Sequence, residues 1–476
     1  MNKRITLTLF LVILVLSVAV RFYKFTNPIA DWHAWRQADT SSVSRTFVEE
    51  GIDLLHPRYH DLSNVPSGKD NPQGYRFVEF PIYNFFQAIL YKSLRLFTLE
   101  EWGRLITIFS STVSAVFIFL IVQKRQSRLA ALIASFFFCF LPFNVYFGRT
   151  ILPDPSMVAA SLGGIYFFDL WASKKSIIYY LLSIILVALA LLLKPFALFF
   201  FLPIIYIAYE GFGLSFLKNW RLYLFAGLSI TPLILWRLWM MQYPEGIPFT
   251  GWLFNFPPIR FKGAFFYWLF ADRIARLILG FWGIVIFAFG FFVRSKNNLF
   301  FLSFVLSSLI YLTVIASGNV RHDYYQILIV PTVAIFMGLG GEFLLSQAKS
   351  FGKRNEGIIL FITSLTFSMI FGWYFVRDFY NINNPPLLRA GAAVDKLIPK
   401  DAKIVANLEG DTTLLYATKR KGWASYQSSM EDLIKMGADY MLIVNPKSFD
   451  YSYQKTYKVV ESKPEFILFN LREVSK

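Results

Sequence analysis

The sequence contains little cysteine, little histidine and little charge. Among its 476 residues are 1 cysteine and 4 histidines, and charged residues make up 16%, against roughly 25% in soluble domains. The one cysteine, Cys139, lies within an apolar run. An intrachain disulfide and a cysteine-based metal site are therefore excluded, and the low charge argues against an ordinary soluble protein.

Apolar and aromatic residues are abundant instead. Hydrophobic residues make up 56% of the chain and aromatic residues 19%, and apolar runs recur from residue 5 to residue 375. This pattern predicts a polytopic α-helical membrane protein. The net charge of +17 would suggest nucleic acid in a soluble protein. Here most basic residues stand in short loops, where they set topology and contact anionic lipid, so membrane lipids and not nucleic acid are the expected partners.

Charge beside the apolar runs predicts the topology. Lys3 and Arg4 precede the first run, which places the N-terminus in the cytoplasm, and the many later runs make the first an uncleaved anchor rather than a signal peptide. Residues 21–104 then form the first outer loop. The eleven predicted spans cover residues 5–20, 105–122, 129–147, 156–172, 177–193, 196–209, 222–240, 277–293, 299–316, 324–345 and 358–375. Every loop assigned to the inside carries at least two Lys or Arg, as Arg294 and Lys296 do after the eighth span.

Residues 80–98 allow two interpretations. The segment is apolar enough to cross the membrane, but it also carries Lys92, Arg95 and several uncharged polar side chains. If it crossed, the basic cluster at 124–128 would lie outside. An amphipathic helix in the membrane interface avoids this conflict, and we adopt that interpretation.

The C-terminal residues 377–476 differ in character from the 1–376 transmembrane domain. Short apolar segments at 402–406, 440–444 and 466–471 predict strands, and residues 428–436 predict a helix with a serine cap. The pattern indicates a small α/β domain outside the membrane. No phosphate-binding or metal motif stands out in it, which favours a docking or structural role.

The predicted topology gathers polar residues from several outer loops and span ends on one side of the membrane. They are Asp31, His33, Arg36, Gln37, Asp39, Glu79, Arg149, Asp154, Lys194, Arg321, His322 and Tyr325. Ionisable residues at span ends are costly unless they are paired or used. We therefore interpret the set as an active site.

Each member also has a structural alternative. Arg149 and Lys194 could extend to the interface, His322 and Tyr325 could anchor there, Asp154 could cap a helix, Glu79 could pair with Arg76, and Asp31 could pair with Arg36. Trp32 and Trp35 are expected to pack at the interface. The set together is harder to explain in this way than any one residue.

Carboxylates beside basic and aromatic groups suit a phosphate carried on a lipid. Arg binds phosphate through two parallel hydrogen bonds and Lys binds it as a point charge. A carboxylate can accept the proton of an attacking hydroxyl, and cations stabilise the charge of a departing phosphate. These parts fit glycosyl transfer from a polyprenyl phosphate sugar.

The motifs resemble those of the membrane glycosyltransferases of the C-type (GT-C) fold, in the group of protein O-mannosyltransferases and the lipid A aminoarabinose transferase. In order over residues 1–345, the motifs are Asp31 with the Trp-Arg-Gln-Ala-Asp-Thr of 35–40, the Glu-Phe-Pro-Ile-Tyr of 79–83, Gly148-Arg149 with Pro153-Asp154, Lys194-Pro195, and the His-Asp-Tyr-Tyr of 322–325 ahead of Pro331. The resemblance covers most of the chain.

The resemblance implies a GT-C fold with an interfacial helix, a polyprenyl-monophosphate sugar as donor, inversion at the anomeric carbon and no catalytic metal. Asp31 would act as the base or orient the acceptor, and Asp154 is the second catalytic candidate. The expected donor-phosphate and substrate residues are Arg36, Gln37, Asp39, Glu79, Arg149, Lys194, His322 and Tyr325.

Two departures limit the resemblance. Trp32 follows Asp31 where the mannosyltransferases have an Asp-Glu pair, and Phe80 stands where the aminoarabinose transferase has a lysine, so neither acceptor is carried over. The competing interpretations are a transporter or flippase of lipid-linked sugars, which should show internal repeats and charges near mid-membrane, and a membrane anchor for the C-terminal domain. A Mg²⁺ site on Asp31, Asp39 and Asp154 also stays open.

Overall fold

The computed structural model describes residues 2–293, 295, 297–346, 348–349 and 352–475, so Arg294 and Lys296 lie outside the described residues. The α-helices in chain order are α1 (Lys3–Arg21), α2 (Ala34–Glu49), α3 (Ile82–Leu94), α4 (Leu99–Arg125), α5 (Arg128–Phe140), α6 (Pro142–Phe147), α7 (Asp154–Lys174), α8 (Ile177–Leu193), α9 (Phe201–Phe212), α10 (Trp220–Met240), α11 (Trp252–Asn255), α12 (Gly263–Phe266), α13 (Gly283–Phe289), α14 (Asn298–Val314), α15 (Ala316–Arg321), α16 (Val330–Leu345), α17 (Arg354–Val376), α18 (Pro385–Leu397), α19 (Thr413–Thr418) and α20 (Met430–Lys435). The strands are β1 (Ile404–Ala406), β2 (Gly422–Trp423), β3 (Tyr440–Val444), β4 (Tyr457–Lys463) and β5 (Phe466–Val474).

The chain divides into two compact units. The membrane unit comprises Met1–Phe25, Arg104–Trp236 and Thr250–Asp378, and the sheet unit comprises Thr26–Gly103, Arg237–Phe249 and Phe379–Lys476. The division made from the sequence, 1–376 and 377–476, assigned the first outer loop to the transmembrane domain. In the structure this loop packs with the C-terminal residues, because its polar side chains form hydrogen bonds and ion pairs there. A hydrophobicity pattern does not predict such contacts.

Among the described residues, five helical stretches are long and apolar enough to cross a membrane, by length and composition. They are Lys3–Arg21, Leu99–Arg125, Pro195–Lys218, Trp220–Met240 and Arg354–Leu397, and the bent pair Gly263–Ile278 with Gly283–Phe292 would make a sixth. The shorter apolar helices α5, α8, α14 and α16 fall below the usual span length, although α8 has its predicted bounds. The chain is a multi-pass membrane protein, and the number of eleven spans stays a prediction.

Glycine lets helices of the membrane unit approach closely. The helix α16 packs against α5 and α13. A Cβ atom at Gly338 would lie 2.6 Å from the Ala130 carbonyl oxygen, and one at Gly340 would lie 1.8 Å from that of Ile286. Small residues at such contacts are typical of helices that pack in lipid, where close van der Waals contact drives association.

The predicted span over 277–293 differs most from the structure. A π-helix, Tyr267–Ile278, extends into what the sequence predicts as an outer loop, and after a break α13 continues at an angle of 108°. Gly280 at this break has φ +54°, and a Cβ atom there would lie 2.3 Å from the Ser368 carbonyl oxygen. The bend needs glycine for both its conformation and its space, and an apolar pattern does not reveal it.

The helix α3 lies in the segment 80–98 whose path the sequence left open. It has 13 residues, about 20 Å at 1.5 Å per residue, whereas a span needs about 20 residues. Its polar side chains bond within the sheet unit, since Asn84 Nδ2 donates to the Thr40 carbonyl at 2.6 Å and the Gln87 amide joins the Ser44 hydroxyl and the Leu99 carbonyl. The helix is therefore shorter than a usual span, and its place in the membrane interface stays a prediction.

The sheet unit contains a five-stranded mixed sheet in the order β2-β1-β3-β5-β4. β1 runs parallel to β2 and β3, and β5 runs antiparallel to β3 and β4. The predicted strands correspond to β1, β3 and β5, and the predicted helix is α20, whose cap residue Ser429 accepts a hydrogen bond from the Asp432 N–H. The small C-terminal α/β domain expected from the sequence is confirmed.

A segment of the first outer loop extends this sheet at β2. Asp61 pairs in parallel with Gly422. The Leu62 N–H donates to the Gly422 carbonyl at 2.7 Å, and the Gly422 N–H donates to the His60 carbonyl at 2.9 Å. The Leu62 side chain enters the hydrophobic core on one face of the sheet. Loop and sheet thus share one core, and the loop covers the edge of β2.

Candidate active site

The polar stretch after the first predicted span is largely a buried helix rather than a loop. The helix α2 begins at Ala34, where alanine, arginine and glutamine favour helix. His33 precedes it in the left-handed conformation, with φ 55° and ψ 36°, which is uncommon for a residue with a side chain. Every residue from Arg36 to Phe47 is buried, so the polar side chains of α2 need partners inside the protein.

Asp31 lies in the turn that leads into α2. It is 1% exposed. Gln37 Nε2 donates to Asp31 Oδ1 at 2.8 Å and to the Trp32 carbonyl at 3.2 Å. Gln37 therefore orients the carboxylate, which is the arrangement that a positioned base requires.

The acids and arginines next to Asp31 pair in a way that spacing along the chain does not suggest. Arg36 forms an ion pair with Glu79. The structural alternative for Glu79 was a pair with the nearby Arg76. Arg76 instead binds Asp39 Oδ2 at 2.5 Å, and the Thr412 hydroxyl donates to Asp39 Oδ1 at 2.6 Å. Burial opposes the charge of Arg76, but Asp39 raises its pKa. Both oxygens of Asp39 are engaged, which favours a structural role for this carboxylate.

A cavity of about 330 Å³ lies beside Asp31 within the sheet unit. Its lining includes residues 30–35, Asn383, Asn384, Leu408, Asp411 and Thr413. Asp411, which the sequence did not single out, accepts a hydrogen bond from the Thr413 N–H at 2.8 Å. Burial raises the pKa of Asp411, and hydrogen bonds from Thr413 partly offset this effect. No local motif marks Asp411, so only the fold brings it to the cavity.

In the membrane unit, Asp154 and Lys194 form a buried ion pair. Lys194 Nζ lies 2.6 Å from Asp154 Oδ1, and Lys194 is 5% and Asp154 4% exposed. The N-cap position of α7 is occupied by Pro153 and Asp154 is the first helical residue, so the cap alternative is wrong. Its Oδ2 atom has no hydrogen-bond partner among the described residues, which leaves an acceptor for a substrate or water.

Three aromatic rings surround the Lys194 ammonium group. Nζ lies 5.2 Å from the ring centroid of Tyr325, 5.4 Å from that of Tyr324 and 5.5 Å from that of Phe196, within the range of cation–π attraction. His322 stacks on Tyr325 with centroids 6.2 Å apart. The fold thus brings Lys194, His322 and Tyr325 together from two distant parts of the sequence.

Arg149 and two other buried arginines, neither of which the sequence singled out, donate to backbone carbonyls. Arg149 Nη1 donates to the Lys24 carbonyl at 3.1 Å, and Arg104 donates to the next carbonyl, that of Phe25, at 2.5 Å. Arg21 donates to the Cys139 carbonyl at 3.1 Å. All three lie at the outer ends of predicted spans, where the positive-inside rule does not expect basic residues. That placement was the signal in the sequence for Arg21 and Arg104.

The ten predicted site residues fall into two groups of five. The sheet unit holds Asp31, Arg36, Gln37, Asp39 and Glu79, and the membrane unit holds Arg149, Asp154, Lys194, His322 and Tyr325. Within the described parts of the chain, no group of three or more His, Cys, Asp or Glu side chains is arranged to hold a metal ion. That catalysis needs no metal stays a prediction.

Fold and site together define the class. A multi-pass helical unit, a short helix in the first outer loop, a small C-terminal sheet domain, and buried acids and cations at helix ends are what the motifs led us to expect of the C-type glycosyltransferase fold.

Comparison with known proteins agrees with this class. The sequence model of the dolichyl-phosphate-mannose-protein mannosyltransferase family matches residues 79–239, a range that includes Glu79, Arg149, Asp154 and Lys194. No curated protein sequence matches the chain significantly.

Solved structures match over nearly the whole chain. ArnT from Cupriavidus metallidurans bound to undecaprenyl phosphate has a TM-score of 0.67 at 12% identity, and its apo form has 0.66 at 11%, each over 97% of both chains. The Archaeoglobus fulgidus oligosaccharyltransferase has a TM-score of 0.57 at 12% identity, over 93% of this chain and 70% of its own. The chain has the fold of these transferases, and the resemblance drawn from the motifs is confirmed.

Proposed function

We propose that the protein is a glycosyltransferase that moves a sugar from a polyprenyl monophosphate to a hydroxyl group on the outer face of the cytoplasmic membrane. The observation that carries the proposal is Asp31, a carboxylate that is 1% exposed, held at 2.8 Å by Gln37 and placed at a cavity. The family match and the fold shared with a transferase solved with undecaprenyl phosphate support the donor class.

The membrane unit supplies groups suited to the donor phosphate. The Lys194 ammonium has three N–H donors, one of which bonds Asp154, so others can bind a phosphate oxygen. His322 stacks on the same Tyr325 ring that Lys194 approaches. We assign Lys194, His322 and Arg149 to the phosphate, because a cation there stabilises the charge that develops as the phosphate departs.

The reaction is a single displacement. The acceptor hydroxyl oxygen forms a bond to the anomeric carbon while the bond from that carbon to the phosphate oxygen breaks, so the configuration inverts. Asp31 accepts the hydroxyl proton, and the polyprenyl phosphate leaves as the monophosphate. A positioned base of this kind contributes about 10²–10⁴-fold to the rate.

Lipid analysis of a deletion strain tests the proposal. We expect a polyprenyl phosphate sugar to accumulate and a glycan to be missing from its acceptor, and the unmodified protein should reverse both changes. The Asp31→Asn variant should reverse neither change, although its level in the membrane is normal. The control Asp401→Asn, which changes an exposed carboxylate of the same unit, should reverse both. Normal complementation by Asp31→Asn would refute the base. A donor that accumulates only on the cytoplasmic leaflet would instead indicate a flippase.

A further inference from the structure

The cavity beside Asp31 is formed by the first and the last chain segments of the sheet unit, Thr26–Gly103 and Phe379–Lys476. The Asn383 N–H donates to the Ala30 carbonyl at 3.0 Å, and the Trp32 N–H donates to the Phe379 carbonyl at 3.0 Å. The Trp32 ring stacks on Phe379 with centroids 4.9 Å apart and an angle of 12° between the planes. Backbone bonds and ring stacking thus tie one wall to the other, as in binding sites that are formed before the ligand arrives.

The lining of the cavity suits a ligand that carries several hydroxyl groups. When ionised, Asp31 and Asp411 accept hydrogen bonds and cannot donate them, whereas the side-chain amides of Asn383 and Asn384 both donate and accept. Each sugar hydroxyl also donates and accepts, so it can bond to both kinds of group. The Trp32 side chain, 38% exposed, offers an apolar surface to the C–H face of a sugar ring.

Thr413 also lines the cavity and carries a buried hydroxyl. Thr413 is 3% exposed, and its Oγ1 atom makes no well-formed hydrogen bond with a described residue, although it lies close enough to Asp411 to lower the pKa of that carboxyl. Thr413 therefore contributes to the site by holding the Asp411 carboxylate, through its N–H and its nearby hydroxyl.

The charge and the volume of the cavity restrict the class of ligand that it can bind. Two of the described residues that line the cavity are Asp, one is His33 and none is Lys or Arg, so a phosphorylated ligand would meet two carboxylates without a permanent cation to offset them. The volume, about 330 Å³, lies at the lower end of the roughly 300–1,000 Å³ of small-molecule sites. This volume accommodates one or two sugar rings.

We infer that this cavity is the acceptor site and that the acceptor is a neutral or amino sugar of a glycan rather than a serine or threonine of a protein. The inference rests on the proposed function, because Asp31 lines the cavity and would activate the sugar hydroxyl there. It also makes Asp411 and Trp32 specificity-determining residues. A peptide would bring only one hydroxyl per serine, together with backbone amides that need partners of their own.

Saturation-transfer NMR on the full-length protein in lipid nanodiscs tests the inference. The probes are the methyl glycosides of glucose, N-acetylglucosamine and glucosamine, glucose 6-phosphate, and a short peptide rich in serine and threonine. At least one neutral or amino glycoside should bind. The phosphorylated sugar should bind about tenfold or more weakly, because its charge faces Asp31 and Asp411, and the peptide should not bind.

Substitutions locate the binding. Asp411→Asn, which keeps an oxygen for the Thr413 N–H, should weaken glycoside binding about tenfold, because a hydrogen bond to a charged group is lost. Trp32→Ala should weaken it as well. The matched controls Asp401→Asn and Phe449→Ala, both at exposed positions of the same unit, should leave it unchanged. Binding of undecaprenyl phosphate should be equal in all four variants, which also shows that they are folded.

Two results would overturn the inference. One is that no glycoside binds, whether or not the peptide does. The other is that glycoside binding is the same in Asp411→Asn and Trp32→Ala as in the unmodified protein. If undecaprenyl phosphate binds in these experiments and the glycosides fail, the acceptor assignment is wrong while the proposed transferase function stands. If undecaprenyl phosphate itself does not bind, the proposed function fails first.

Discussion

Replacement of Lys194 by methionine separates a substrate-binding role of the buried ion pair from a purely structural one. Methionine keeps most of the length of lysine and removes its charge. The structure places Lys194 Nζ 2.6 Å from Asp154 Oδ1, with side chains that are 7% and 5% exposed. The substitution therefore leaves a carboxylate buried without its cation.

The expected cost follows from the geometry. At 2.6 Å and an effective dielectric constant near 20, the two charges attract by about 6 kcal/mol. Desolvation costs several kcal/mol for each ion and offsets this attraction, so the intact pair contributes little net stability. Removal of one partner alone costs about 3–5 kcal/mol, and loss of the contacts between the ammonium group and three rings adds about 1 kcal/mol.

The two charges should not be equivalent. Asp154→Asn should cost less than Lys194→Met, because the asparagine oxygen still accepts the lysine hydrogen bond and the rings still face the ammonium group. The double variant Lys194→Met with Asp154→Asn should recover most of the lost stability. Unfolding in mixed detergent micelles measures all three, and Lys218→Met, at an exposed lysine of the same unit, is the control.

Binding of undecaprenyl phosphate then distinguishes the two roles. If Lys194 holds the donor phosphate, the double variant is stable but binds the lipid poorly. A double variant that binds as tightly as the unmodified protein would refute the phosphate role. A double variant as unstable as Lys194→Met would show that the two charges are not coupled, and the reasoning from the ion pair would be wrong.

Three further predictions concern stability and topology. Asp39→Ala leaves the Arg76 charge buried, so it should lower the free energy of unfolding of the sheet unit by about 3–5 kcal/mol; denaturant unfolding measures this, and a change below about 0.5 kcal/mol would contradict it. Burial lowers the pKa of His60 well below its usual value, so the unfolded chain gains a proton that the folded chain does not, and stability should fall as the pH drops below roughly 6.5, with a slope of at most about 1.4 kcal/mol per pH unit. His60→Gln should flatten this dependence, measured from hydrogen exchange at the Leu62 amide after correction for intrinsic rates, and an unchanged slope would argue against His60 as its source. A cysteine at Lys124 should resist an impermeant maleimide added outside intact cells, since the one native thiol is buried; labelling at that position would overturn the predicted topology.

Much of the fold could be predicted because apolar length and charge are local properties. The helix α8 has the bounds that its apolar run predicts, and the polar residues that argued against a span at 80–98 make hydrogen bonds within the sheet unit. The bend at Gly280 could not be predicted in this way. It depends on the approach of the Ser368 carbonyl, from a part of the chain that no local pattern connects to it.

The pairings within the site depend on three-dimensional contacts for the same reason. Glu79 stands three residues from Arg76, yet its partner is Arg36, and Arg76 binds Asp39. These residues stand out in the sequence as a group because acids and arginines near a span are unusual. Their partners cannot be assigned from the sequence, since each partner is set by the packing of α2 and the loop that follows it.

The partners of helix α2 bring the C-terminal region into the proposed site, whereas its sequence favoured a docking or structural role. A polar helix buried along its length shows no amphipathic pattern, so its sequence does not predict its burial. Such a helix is stable only if other segments satisfy its side chains. Here they come from the C-terminal region, since Arg45 donates to the Tyr416 carbonyl at 2.7 Å and the Thr412 hydroxyl donates to Asp39. The same region brings Asp411 to the cavity beside Asp31. The residues that hold α2 in place and the residue that we expect to select the acceptor thus belong to one short segment, and a change in that segment should affect both stability and acceptor choice.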